Sequence, residues 1–176
     1  MFSIFFIVFA AVAFGAVLSM WVTRRSVPGD VQMIPPEEAF EHDAKLGRTV
    51  TMKDLHRVAE ALAAEHRLLV KDRLVNAPNE HYWITESKEE FFSGNYVIAF
   101  LETNSEHRFA TMTDILEFKD FIKSAGSSKG LFFTTGYFTK DVFQPLEGPK
   151  VTYYNKVKVL EEMDRLKLNR KQDVHS

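Results

Sequence analysis

With 176 residues, 45% of them hydrophobic and 26% charged, the chain holds material for one ordinary folded domain and leaves no room for a second catalytic one. A formal net charge of −2 withholds the basic excess that phosphate neutralisation demands, which argues against nucleic acid as a partner. The absence of cysteine excludes disulfides, thiolate zinc centres and cysteine nucleophiles.

Residues 2–22 form an apolar run broken only by Ser3, Gly15 and Ser19. About 20 such residues, rising 1.5 Å each, cross a hydrocarbon core of about 30 Å. No basic residue precedes the run and no small-residue cleavage signature closes it, so it reads as an uncleaved anchor and not a signal peptide. Trp21 sits at interface depth, and Arg24 and Arg25 follow at once, which places the C-terminal side in the cytoplasm. The expectation is a single-pass anchor over 1–23, with the lipid bilayer as first partner. Residues 24–50 are rich in proline and acids and read as a spacer. In it Pro28-Gly29 makes a turn, Pro35-Pro36 favours extended backbone, and 37–45 fits a short helix with Pro36 at its first turn.

From residue 51 to 168 the pattern changes to alternating helices and strands, and 169–176 is a polar tail. Thr51 is a fitting N-cap for a helix over 52–66, where Leu55, Val58, Ala59 and Leu62 recur at helical spacing. Strands are predicted over 67–75 and 81–87, separated by a turn at 76–80. After a connection at 88–95, the near-continuous apolar run 96–102 reads as a central strand, followed by a loop at 103–111. A helix over 112–126 presents Ile115, Leu116, Phe118 and Ile122, with Gly126 suited to its C-terminus. A buried strand at 130–135 follows, then a short helix after Thr139, an edge strand at 150–155 and a last helix over 156–168. A helix between the strands at 96–102 and 130–135 requires those two to pair in parallel, whereas the three strands before it favour an antiparallel meander. The fold class is therefore α/β, a mixed sheet flanked by helices on both faces.

The segment ILEFKDFIKSAGSSKGLFFTTGYFTKDVF, residues 115–143, resembles the helix and strand-turn of Mrr-type restriction endonucleases, members of the PD-(D/E)xK nuclease fold. VTYYNKVKVLEEM, 151–163, matches the family's last strand and helix more loosely. The resemblance implies a restriction endonuclease-like domain over 51–168. It also implies a metal-binding acid on the second or third strand and an apolar-Q/E-apolar-K strand after it. In YWITES the acid is Glu86. In IAFLETN two registers fit: Phe100 takes the Gln/Glu place and Glu102 the Lys place, or Glu102 is the acid and Asn104 stands where the lysine should be. Neither supplies a lysine. The family's chemistry needs carboxylates to hold Mg²⁺ and a lysine to stabilise developing charge. Lys119 and Lys123, i and i+4 on the next helix, are the lysines that a displaced active site would use, though charged residues at such positions usually lie on a solvated face.

The remaining candidates are less specific. The TTG turn at 134–136 lacks the glycines and lysine of a phosphate-binding loop and reads as structural. Histidines 42, 56, 66, 81 and 107 show no metal-ligand spacing and read as surface or helix-end residues. Phe91-Phe92 and Tyr137-Phe138 are aromatic pairs in connections: core residues by the commoner reading, and protein-docking residues if exposed. Two functions follow from different classes. One is a catalytically silent, membrane-anchored binding or scaffold subunit with no cofactor, contacting a protein partner or membrane complex. The other is a membrane-tethered Mg²⁺-dependent DNA endonuclease using Glu86, Glu102 and Lys119. No small-molecule substrate is evident.

Overall fold

The computed structural model describes residues 38–87, 94–104, 109–144 and 146–168. The anchor assigned to 1–23, with Trp21, Arg24 and Arg25, lies outside the described residues, and so do Phe91, Phe92 and the tail. Among the described residues no helix is long and apolar enough to cross a membrane.

Helix α1 (Ala39–Leu46) stops at Gly47, whose left-handed backbone lets its N–H return to the Asp43 carbonyl at 3.2 Å. Ala39 is fully buried beside Tyr137 and Val157, so this part of the expected spacer belongs to the folded domain. Helix α2 (Met52–Glu65) begins at the foreseen N-cap. Asp54 accepts from the Thr51 N–H at 3.0 Å while the Thr51 hydroxyl accepts from the Asp54 N–H at 3.4 Å, a reciprocal capping box. Strands β1 (Leu68–Ala77) and β2 (Glu80–Ser87) form a hairpin closed by Pro78-Asn79, and β3 (Asn95–Leu101) follows. The two-residue strand β4 (Phe109–Ala110) leads into α3 (Met112–Ser124), then come β5 (Lys129–Thr134), β6 (Tyr137–Phe138) and a 3₁₀ turn, Lys140–Phe143. Strand β7 (Lys150–Tyr154) and α4 (Lys156–Arg165) close the domain, with Asn155 capping α4 by accepting from the Lys158 N–H at 2.9 Å.

The main sheet runs β1-β2-β3-β5-β7. The β1/β2 and β2/β3 pairs are antiparallel, while β3/β5 and β5/β7 are parallel. The meander and the crossover are thus both as expected, and β7 is an edge. Alternation along β3 decides which helix sees what. Ile98 and Phe100 pack with Trp83 and Phe133 under α2 and α4, while Val97 and Ala99 pack with Tyr82 and Phe132 under α3. Because both faces are covered, four consecutive β3 residues are buried.

Two expectations are corrected. The stripe α3 buries is Ile115, Phe118, Lys119 and Ile122, the i, i+3, i+4, i+7 pattern, and Leu116 falls off it, 47% exposed. Lys119, expected on the solvated face, is buried with its stem in the stripe. The loop 103–111 and the aromatic turn at 137–138 also pair with each other: β4 and β6 form a small parallel ladder, Phe109 opposite Tyr137 and Ala110 opposite Phe138.

Candidate functional site

The three parallel strands β3, β5 and β7 end on the same side of the sheet, where α/β proteins commonly bind ligands. There a polar cavity of about 240 Å³ is lined by Thr103 and Asn104 after β3, Thr135, Gly136 and Tyr137 after β5, and Lys156 after β7. Asp43 of α1 and the Thr49-Val50 approach to α2 complete it. Its walls are tied together. The Thr135 hydroxyl accepts from the Thr103 N–H at 2.8 Å and shares a second bond, 3.1 Å, with the Thr103 hydroxyl. Thr134, fully buried, uses its hydroxyl to accept from the Gly136 N–H at 3.2 Å. The Gly136 carbonyl accepts from the first N–H of α4 at 2.8 Å. The TTG turn therefore spends its hydroxyls on holding strand ends together, in line with its structural reading.

Lys156 is the cation of this cavity and is nearly buried. Its ammonium donates to Asp43 Oδ1 at 2.7 Å, and the Tyr137 hydroxyl donates to the same oxygen at 2.5 Å. A buried ammonium needs such a partner, and α1 supplies it. Among the described residues the cavity's lysine and aspartate are engaged with each other, and its hydroxyls and amide can hydrogen-bond a small polar group.

The residues expected to carry nuclease chemistry do not meet. Glu86 lies at the far end of β2, opposite Asn95, and pairs on the surface with Lys71 at 2.6 Å. Glu102 follows the other end of β3, where its Oε1 accepts from the Met52 N–H at 3.3 Å and so serves the N-terminus of α2. Seven residues of extended chain separate their levels, about 23 Å at 3.3 Å per residue. Lys119 is on α3, which covers the opposite sheet face, and its ammonium donates to the Leu146 and Glu147 carbonyls at 3.2 Å each. Desolvation, then the neighbouring Lys123, lowers its pKa. Lys123 pairs with Asp120 at the surface. Phe100, which one of the two expected registers sets in the Gln/Glu place, is fully buried in the core.

Glu80 is an acid that sequence reading passed over. It opens β2 directly opposite Leu101, close in level to Glu102. It shares the α3 side with Tyr82, however, and is held by the Tyr82 hydroxyl and by Asn76 Nδ2 at 2.8 Å. Burial, then this carboxylate, raises the Tyr82 pKa well above the usual phenol value. Glu80 and Glu102 therefore sit on opposite faces. Among the described residues no group of three or more His, Asp or Glu is placed to hold a metal ion.

Tyr137 and Phe138 are 1% and 5% exposed, so their rings are core and not docking residues. The β4/β6 ladder turns Tyr137 toward Asp43 and α1, and Phe138 toward Phe132, Phe143 and Tyr153. Sequence reasoning also missed a pair of histidines. His56 on α2 and His81 on β2 meet nitrogen to nitrogen at 3.2 Å. Twenty-five positions apart on a helix and a strand, they leave no local spacing to detect.

Comparison with protein-family models gives no match, and comparison with curated protein sequences gives none. Among solved structures the chain is similar to the DNA modification-dependent restriction endonuclease AspBHI, with a TM-score of 0.42 and 11% identity over 82% of this chain. The chain spans 43% of that protein's length.

Proposed function

We propose that this chain is a membrane-tethered binding module, a nuclease-like α/β domain that serves as a subunit of a membrane-associated assembly and does not hydrolyse DNA. The observation that carries this reading is the placement of Glu86 and Glu102 at opposite ends of the β2/β3 pair. For both acids to hold one Mg²⁺, each must place a carboxylate oxygen about 2.1 Å from it. The lysine of the endonuclease alternative, Lys119, is committed to two backbone carbonyls on the other face.

The tether is supported by the apolar run 2–22 and the arginines after it. Removing residues 2–22 is expected to release the protein from carbonate-washed membranes, and retention without them would contradict the tether. A protein partner is supported by β1, an edge strand of ten residues exposing Leu69, Leu74 and Val75. Such an edge presents backbone groups and apolar side chains for strand addition.

The test of the silent-module reading is cleavage of plasmid and linear DNA by the full-length protein with Mg²⁺ or Mn²⁺. No cleavage above a protein-free control is expected. Cleavage that Glu86→Ala and Glu102→Ala each abolish would overturn the reading in favour of the endonuclease.

A further inference from the structure

The His56–His81 pair plays no part in the cavity or in the binding reading. Its geometry is fixed from several sides. The His56 ring stands edge-on to Phe100, with centroids 4.6 Å apart, and leans on Trp83 at 5.0 Å. His81 is held by backbone pairing to Phe100 on β3 and Val75 on β1. His81 Nδ1 and His56 Nε2 point at each other across 3.2 Å, and both rings are partly open to solvent. The neighbouring acids are engaged elsewhere. Glu60, one turn along α2, accepts from Arg73 Nη2 at 2.9 Å, and Arg73 in turn stacks over Trp83 at 4.4 Å. Glu102 is occupied at the start of α2.

We propose that His56 and His81 form a two-imidazole site for a borderline divalent transition metal such as zinc, cobalt or nickel, with water filling the other coordination positions. Metal–nitrogen bonds of about 2.0–2.1 Å at a tetrahedral angle set two ligand nitrogens about 3.3 Å apart, close to the spacing present here. Each ring needs to turn about 35° off the nitrogen–nitrogen axis to aim at the shared ion, by the same tetrahedral geometry. The proton between the rings moves to the other nitrogen of the imidazole that carries it, leaving two lone pairs for the metal. Burial, then His81 and Arg73, lowers the His56 pKa. Magnesium and calcium prefer oxygen and are not expected to compete.

The test titrates Co²⁺ into the full-length, chelator-stripped protein at pH 7.5, reading visible absorbance, and repeats it with His56→Gln and His81→Gln. The expected result is one Co²⁺ per chain, displaced by Zn²⁺ but not by Mg²⁺, with apparent affinity at least about tenfold weaker in either variant. Circular dichroism checks each variant. Should His56→Gln unfold, His81→Gln and the partly exposed His81→Asn carry the comparison. Absence of Co²⁺ binding to the wild type, or binding that the His81 variants leave unchanged, would overturn the proposal.

Discussion

Asp43 accepts from both the nearly buried Lys156 ammonium and the buried Tyr137 hydroxyl, which also lies 3.4 Å from His42 Nδ1. Asp43→Ala is therefore expected to destabilise the domain by about 3 kcal/mol, because it strands a charge and not merely a contact. The double change Asp43→Leu, Lys156→Met removes both charges and is expected to recover most of that loss in urea denaturation. His56 gives a pH dependence of definite sign. Its folded pKa lies below the usual 6.5, so above pH 7 both folded and unfolded states are neutral there and pH has no effect. As pH falls through 6.5 the unfolded chain gains a proton that the folded one resists, so stability declines toward acid. His56→Gln is expected to flatten the slope between pH 7 and 5, measured with chelator present. An unchanged slope would assign the titration elsewhere. At this scale the sequence was legible where a residue acts locally, as at the Thr51 cap. It was not legible for His81, Lys119 or Asp43, whose partners lie 25, 27 and 113 positions away.

The elements were legible because each long one carries its own period. The apolar run of β3 and the stripe of α2 are visible without tertiary knowledge, and both appear where expected. Strands β4 and β6 have two residues each, too few to show any alternation, and it is their pairing that buries Tyr137 and Phe138. The stripe of α3 was misjudged by one residue because Lys119 packs its stem as an apolar residue would while its head reaches the Leu146 and Glu147 carbonyls. Leu116→Glu is accordingly expected to change stability by no more than about 0.5 kcal/mol, and Ile115→Ala to lower it by about 2–5 kcal/mol, by thermal or urea denaturation. Helix α3 crosses β5 over Gly130, where a Cβ would lie 2.5 Å from Ile122 Cδ1 and 2.7 Å from Phe118 Cζ. Gly130→Ala is expected to destabilise by about 1–3 kcal/mol through overpacking, and a neutral result would show that the helix can shift outward.

For the whole molecule, the order of elements decides the direction of each strand. A helix between β3 and β5 makes them parallel, and the short β2–β3 connection makes that pair antiparallel. Glu86 is next to last in β2 and Glu102 follows β3, so the antiparallel arrangement alone sends them to opposite ends. That consequence was already contained in the expected meander, even though motif matching set the two acids side by side. The cavity at the strand ends was not legible, since it depends on α1 folding back to bring Asp43 to Lys156. Because the chain has no cysteine, Glu86→Cys with Glu102→Cys gives a uniquely labelled pair for electron–electron distance measurement in the full-length protein. The expected separation is about 20–30 Å, label arms included. A distance under about 10 Å would bring the acids within reach of one ion and contradict the claim that Glu86 and Glu102 do not form one metal centre.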